Sequence, residues 1–464
     1  MNFKENSIPI IIPCYKNVHY VKHMIRQLKA LDSTVDIVIL NNSSEPTDQF
    51  PSDPTIRVFD GPHNEGPWVT PMKNKSLYDL MPSMYIVTDA DLQLNENMPP
   101  NFLVIMRMLA LKHNTYKLGL ALDISTPQLI HSIPGYADNK DIVEFEKRYW
   151  TKRVPDLHFE LYEAAIDSTF ALLNKNIPVE KFNLRIAGNF TARHMPWYVD
   201  NPLSTLYQDL QQYYNTEWSI TGRSFLKRLQ DRNIMAIQRR HALFMVHRNE
   251  HEQFWRNYSS WENHSFDVYE KYLKQDGIML DIGAWNGCTS LFARTLCKRV
   301  YAVEADRQAV KTLKDNIALN DAENDIVVIN RAIYHRDHQV VMFGHNNHLP
   351  GYKPNDSTSQ IQTTTATSTS DANVYLVQTI TLETMLSQYN IDPHQLCLVK
   401  VDIEGGEENI LTNLWALKQQ YKFTLYVEFH FSWWKFQNLD RFTFLTPAQK
   451  SQIETQKFCS IVFE

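Results

Sequence analysis

At 464 residues the chain exceeds what one hydrophobic core fills, since single cores stop growing at roughly 250 to 300 residues, so two domains of similar size are expected. Apolar residues at 43% and charged residues at 21% are a globular balance, and no run of eighteen apolar residues is present to span a bilayer. A net charge of -6 without a clustered basic face argues against nucleic acid as the main partner. Five cysteines, an odd number without a C-x-x-C pair, fit reduced packing residues of a cytoplasmic protein.

In chain order, MNFKENSIPIII has too short an apolar run, and no small-residue cleavage site, for a signal peptide; it reads as a first strand. IPIIIPCYKN is then a buried strand and turn, and VDIVILNNSS ends a second strand in amides and hydroxyls. PHNEGPWVTPMKNKSL follows, and MYIVTDADLQL is an apolar strand that ends in Asp89-Ala90-Asp91. Two carboxylates one residue apart at a strand end offer hard oxygens to Mg²⁺ or Mn²⁺, an ion able to offset the charge of a departing diphosphate. Further on, Asp167 stands in the largely apolar LYEAAIDSTFALL, and His194 stands beside Trp197 and Tyr198 in IAGNFTARHMPWY. A paired or capping role for Asp167 and aromatic stacking for His194 are the bland alternatives.

The order strand-Pro-x-Tyr, strand-Asn-Asn-x-Ser, Asn-x-Gly, D-x-D resembles family 2 glycosyltransferases of the GT-A fold, over about residues 7–200. That resemblance implies a nucleotide-sugar donor (UDP-, GDP- or dTDP-linked), a glycan acceptor and inverting transfer. It places Pro13 and Tyr15 at the base, Asn41 where the family carries an aspartate, Asn64 in the donor site and Lys73 near the phosphates. It also implies a metal site of Asp89, Asp91 and His194, with Asp167 as the base that activates the acceptor hydroxyl.

Residues 203–251 carry Leu206, Leu210, Tyr213, Tyr214, Phe225 and Leu229 at helical spacing. The first domain is expected over residues 1–235, a linker over 236–250 and a second domain over 251–464. In that second part GIMLDIG, RVYAVEA, DIVVINRAI, LCLVKVDI and FTLYVEF are strand-like runs between helical patterns, which predicts a second α/β domain on a mostly parallel sheet, as in the first. The stretch 344–373, with NDSTSQIQTTTATSTSDAN, has too few apolar groups to bury and reads as a solvated insertion without regular elements.

MLDIGAWNGCTSLFA is a buried strand entering a glycine turn and a helix, with Asp281 at the strand's carboxyl end and Gly283 and Gly287 free of a Cβ. Glu304, at the end of the next strand, suits the two ribose hydroxyls of an adenosine. Neither half has G-x-G-x-x-G, which disfavours a dinucleotide-dependent oxidoreductase. With VINRAIY and LVKVDIEGGEENIL the pattern resembles class I methyltransferases that use S-adenosylmethionine (SAM), and specifically the FkbM family, over about residues 250–435. The resemblance implies a Rossmann-like fold, SAM as cofactor and O-methylation of a sugar or polyketide hydroxyl.

Asp402 joins Asp281, Gly283, Gly287 and Glu304 as the expected SAM contacts, and Glu404 and His430 are the expected catalytic residues, with Glu428 a further candidate base. Helix capping by Asp402 and Glu404 remains open. Trp433 and Trp434 follow His430 and suggest an aromatic wall for a sugar face or a sulfonium. Together the halves read as a bifunctional glycan-modifying enzyme; the alternative is an active methyltransferase joined to a glycan-binding module that has lost transfer. Chains of this pairing resemble enzymes of bacterial surface polysaccharides and of large DNA viruses.

Overall fold

The computed structural model describes residues 3, 7–42, 46–132, 141–167, 169–179, 181–199, 201–216, 220–338, 340–344, 360–362, 374–404, 406–430, 439–456 and 459–464. The chain divides into two compact units, Met1–Arg232 and Asn233–Glu464.

The first unit is built on β1 (Ile10–Cys14), β2 (Ile37–Asn41), β3 (Ile56–Asp60), β4 (Met84–Val87), β5 (Leu92–Leu94), β6 (Lys117–Leu122), β7 (Arg153–Val154), β8 (Leu161–Glu163), β9 (Ala171–Asn174) and β10 (Asn183–His194). They form one sheet in the order β3-β2-β1-β4-β9-β6-β10-β8-β7, with β5 on β10. The apolar runs recognised in the sequence become β1, β2 and β4, which are parallel to their neighbours in the β1–β4 part of the sheet and buried on both faces. Ile10, Ile12, Ile37 and Ile39 enter the core beneath the helix Val18–Leu31, while Ile11, Val38 and Leu40 enter a second cluster with Leu77 and Tyr85. This is the period of two expected of a strand between two layers.

The expectation of a mostly parallel sheet needs correction here, because β9 runs antiparallel between β4 and β6, and β5, β7 and β8 are antiparallel as well. ALLN is a short continuous apolar run, and hydrophobic period alone carries no strand direction. The helices Leu206–Tyr213 and Ile220–Asp231 close this unit, with Leu210, Tyr213, Phe225 and Leu229 buried. Thr205 and Gln208 form a reciprocal cap on the first of them, and buried Asp209 pairs with Arg228 on the second.

The segment expected as a linker is an element of the second unit. β11 (Ile234–Arg239) and β12 (Ala242–His247) pair antiparallel through a two-residue turn, with Ile237, Phe244 and Val246 buried in a core shared with Trp255, Tyr258 and Phe266. The side chain of Asn320 clamps the backbone of Met245 from both sides.

Next come β13 (Ile278–Ile282), β14 (Arg299–Val303), β15 (Ile326–Ile329), β16 (Ala332–Ile333), β17 (Val340–Gly344), β18 (Gln360–Gln362), β19 (Val374–Ile380), β20 (Leu396–Val401), β21 (Thr424–Phe429) and β22 (Cys459–Phe463). The main sheet has the order β15-β14-β13-β20-β21-β22, parallel except for β22. Ile278, Leu280 and Ile282 face one core, and Met279 faces the other. A smaller sheet runs β16-β19-β17-β18. β18 lies inside the Ser/Thr-rich stretch, which was expected to hold no regular element; Gln360–Gln362 pairs antiparallel with β17, and residues 345–359 and 363–373 lie outside the described residues. Among the described residues no helix is long and apolar enough to cross a membrane, and all five cysteines are free thiols.

Candidate active sites

In the first unit the expected residues converge at the carboxyl end of the parallel strands. β4 delivers Asp89 and Asp91, and the pairing of β5 with β10 sets His194 opposite Leu92, next to Asp91. His194 Nε2 lies 3.5 Å from Asp91 Oδ1, and ligand atoms of Asp89, Asp91 and His194 all fall within 4.8 Å of one another, a spacing that one divalent ion can bridge. His194 also packs on Trp197, with ring centroids 4.8 Å apart, so stacking and ion binding are compatible. From behind, the buried Tyr213 hydroxyl donates to Asp91 Oδ2 at 2.9 Å and fixes its orientation. Burial, together with the Asp91 charge, holds that phenol well above its ordinary pKa, so it remains a donor.

A cavity of about 960 Å³ opens over this group and is lined by Pro13, Tyr15, Asn64, Lys73 and Asp167 besides the three ion-binding candidates. Two expectations are corrected. Asn41 is buried outside the lining, where its amide donates to Asp60 Oδ1 at 2.8 Å across the β2–β3 register, and Asn42 lines the cavity in its place. Asp167 is exposed at the mouth, not buried in an apolar run, and accepts from Trp68 Nε1 at 3.1 Å. Asn64 Oδ1 accepts from the Gly66 backbone at 2.9 Å, which shapes the turn where Gly66 takes φ +83. Trp68 and Tyr213 escaped the motif reading, although Trp68 stands inside the stretch singled out for Asn64.

In the second unit the strand order reverses between β13 and β20, which makes the crevice at their carboxyl ends the expected ligand site. A cavity of about 550 Å³ is found there, lined by Gly283, Glu304, Asp402, Glu404 and His430 among others. Lys400 on β20 organises its floor: Nζ lies 3.3 Å from Asp281 Oδ1 and 3.1 Å from Asp402 Oδ2, and donates to the Gly283 carbonyl at 2.9 Å. Burial works against the ammonium, but the two carboxylates outweigh it and hold Lys400 well above its ordinary pKa.

Asp281 and Gly287 are not part of the lining, contrary to expectation. Asp281 is fully buried and accepts from Ser290 at 2.6 Å, so it anchors the turn from beneath. Gly287, at φ +92, sits over Leu313, whose Cδ1 would be 2.8 Å from an added Cβ. Gly283 has the tighter demand: at φ +84 an added Cβ would fall 1.7 Å from the Asp402 carbonyl oxygen. The glycine thus serves close approach of two loops.

Glu304 follows β14, with one carboxylate oxygen accepting from Trp285 N at 2.8 Å and the other from Asp306 N at 2.7 Å. Burial lifts its pKa to about 7 against those two donors. Glu262, unnoticed in the sequence, lines the same cavity and is lifted to about 7 by burial and then by the charge of Asp402.

His430 lies among carboxylates, with Nε2 3.5 Å from Asp402 Oδ1 and 3.8 Å from Glu404 Oε2, and Nδ1 3.5 Å from Glu407 Oε1. Burial alone would lower its pKa; Glu407, Asp402 and Glu404 outweigh it and raise the value to about 10. That excludes His430, as it stands, from the role of general base. The wall expected from Trp433 and Trp434 lies outside the described residues, as does Gly405. Among the described residues the cavity's aromatic wall is Phe254, Trp261 and Trp285, with Phe254 at 5.1 and 4.9 Å from the two indole rings.

The second unit is therefore a doubly wound α/β domain with an acidic, aromatic-walled cavity at its switch point. Residues 276–451 match the Methyltransferase FkbM domain, and the second unit carries a domain of that kind. Ribosomal protein L11 methyltransferase of Carboxydothermus hydrogenoformans is 31% identical over 76 residues, which are 16% of this chain and 25% of that protein. The chain thus spans a quarter of the length of that curated relative. Among solved structures, precorrin-6y C5,15-methyltransferase from Geobacter metallireducens shares 15% identity at a TM-score of 0.22, covering 39% of this chain and 67% of that one. An rRNA methylase from Streptococcus thermophilus shares 15% identity at a TM-score of 0.21, covering 36% and 69%.

Proposed function

We propose that the chain is a bifunctional glycan-modifying enzyme whose second unit methylates a sugar hydroxyl with SAM and whose first unit transfers a sugar from a nucleotide-sugar donor. For methylation the observation that carries the reading is the convergence of Gly283, Glu304 and Asp402 on one cavity at the switch point of a domain matched to FkbM methyltransferases. In this reading Glu304 takes the ribose hydroxyls, and the aromatic wall takes a cation or a sugar face. SAM supplies an electrophilic methyl group whose carbon–sulfur bond breaks with the electron pair left on sulfur. The residues must orient the acceptor hydroxyl and take its proton; Glu262, near 7, has the pKa a general base needs at neutral pH, and Glu404 lines the same space.

For sugar transfer the supporting observation is the group Asp89, Asp91 and His194 in a cavity lined by Pro13, Tyr15, Asn64 and Lys73. A divalent ion there offsets charge on a leaving diphosphate. Asp167, exposed at the mouth, is the base for a single displacement that inverts the anomeric carbon. The ion-binding group favours this reading over a binding module that has lost transfer. The test is a panel of nucleotide sugars with Mn²⁺ and no acceptor, alongside SAM carrying a labelled methyl and a panel of glycans. Slow release of nucleoside diphosphate and label in the glycan support the two halves; a donor that binds intact and never turns over sinks the first, and the absence of SAM binding sinks the second.

A further inference from the structure

We infer that the methyltransferase cavity contains its own divalent-cation site, formed by Asp402, Glu404 and His430, with a coordination position left for the acceptor hydroxyl. The acceptor part of this rests on the methyl-transfer reading; the cation part rests on the side chains alone.

One oxygen from each carboxylate and one imidazole nitrogen lie within 4.8 Å of one another. The separations of 3.5 and 3.8 Å from His430 Nε2 to Asp402 and Glu404 are long for hydrogen bonds. They are close to the edge of a coordination polyhedron, since metal–ligand distances near 2.1 Å place adjacent ligands roughly 3.0 to 3.4 Å apart. An ion needs to draw His430 toward each carboxylate by only a few tenths of an ångström.

The second observation is on the far side of the ring. Glu407 has no exposed surface, is pinned by the Ile403 backbone N–H at 3.1 Å, and faces His430 Nδ1 at 3.5 Å. A carboxylate behind Nδ1 holds a proton there and turns Nε2 toward two further carboxylates, so that a cation taking the place of the Nε2 proton meets the outer-shell arrangement that orients metal-bound histidines. Among the described residues Glu407 Oε2 and Glu428 Oε1 are both buried without a hydrogen-bond partner, so acceptor oxygens beside the cluster remain unmet. Two hard oxygens and one imidazole suit a Mn²⁺-like ion that keeps open positions for oxygen ligands.

An acceptor hydroxyl bound to that ion is acidified, and its proton passes to a cavity carboxylate while the oxygen forms the bond to the methyl carbon; the methyl–sulfur bond breaks and sulfur keeps the electron pair. The chemistry needs no further reactant.

The experiment titrates Mn²⁺ alone into the full chain, with bound ion counted by electron paramagnetic resonance, and SAM binding followed by calorimetry. Wild type is expected to bind two ions, Asp91→Asn one, Glu404→Gln one, and the double variant none, with SAM binding retained in Glu404→Gln. His430→Gln serves as the second variant and should lose the same ion. If Asp91→Asn removes all bound Mn²⁺, or if Glu404→Gln and His430→Gln both keep the wild-type count, the site does not exist. A chain that binds the second ion but never SAM keeps the cation site and overturns the methyl-transfer reading, so the two failures are distinguishable.

Discussion

The two units solve the same electrostatic problem in different ways. Each brings carboxylates and a histidine to the carboxyl ends of its strands, but Asp91 is braced by the neutral donor Tyr213 while Asp402 is braced by the cation Lys400. A neutral brace orients Asp91 without adding positive charge beside it. A buried lysine meets part of the Asp402 charge internally and ties the floor of the second site to the backbone of Gly283. The first site should therefore fail mainly through loss of an ion, and the second through loss of packing.

The largest expected effect tests that contrast at Gly283. Gly283→Val places a β-branched side chain at φ +84 and against the Asp402 carbonyl, so SAM binding should vanish and the thermal transition of the second unit should fall or disappear. A normal calorimetric isotherm for this variant would show that the two loops are not tied as described. In the first unit, Asp91→Asn should abolish donor turnover with SAM affinity unchanged, because the two sites belong to separate units. Full turnover in EDTA would break the assignment. Asp167→Asn is milder: general bases contribute about a hundredfold to ten thousandfold, so transfer should drop by that order while donor binding holds. Normal transfer by that variant would place the base elsewhere.

How much of this was legible depends on what the residues broadcast locally. The runs around Ile10, Ile37, Met84, Met279, Val300 and Leu398 are long and apolar enough to declare buried strands, and their polar ends placed Asp89 and Asp91 at the carboxyl edge of the first sheet and Glu304 and Asp402 at that of the second. The β11–β12 hairpin was invisible because its turn residue at φ +51 is Arg240, where glycine or asparagine would have signalled it. Glu262, itself at φ +41, sits in a polar and aromatic stretch with no motif around it, and only the tertiary packing of Phe254, Trp261 and Trp285 turns that stretch into a cavity wall. Asn41 was misplaced for a related reason: at a strand end, one residue decides which of two neighbouring amides faces the ligand.

The smallest effects concern Glu304. A carboxylate that accepts from two ribose hydroxyls contributes on the order of 1.5 to 3 kcal/mol, so Glu304→Ala should weaken SAM roughly tenfold to a hundredfold. The same residue gives affinity a pH dependence whose sign can be worked out. Burial raises the carboxyl to about 7 in the unliganded domain, with Asp306 adding like charge and the N–H groups of Trp285 and Asp306 opposing. Because the folded domain holds this proton more tightly than an unfolded chain does, Glu304 stabilises the unliganded fold below about 4.5 and that contribution is lost as pH rises through about 7. The ribose hydroxyls donate and so select the ionised form, which means that below pH 7 binding must expel a proton. SAM affinity should then be flat above about pH 7.5 and fall toward tenfold per pH unit below about 6.5, and Glu304→Gln should remove the slope. Calorimetry in buffers of different ionisation enthalpy reads the released proton directly; an affinity that is level from pH 6 to 8, with no proton released, would take Glu304 off the ribose.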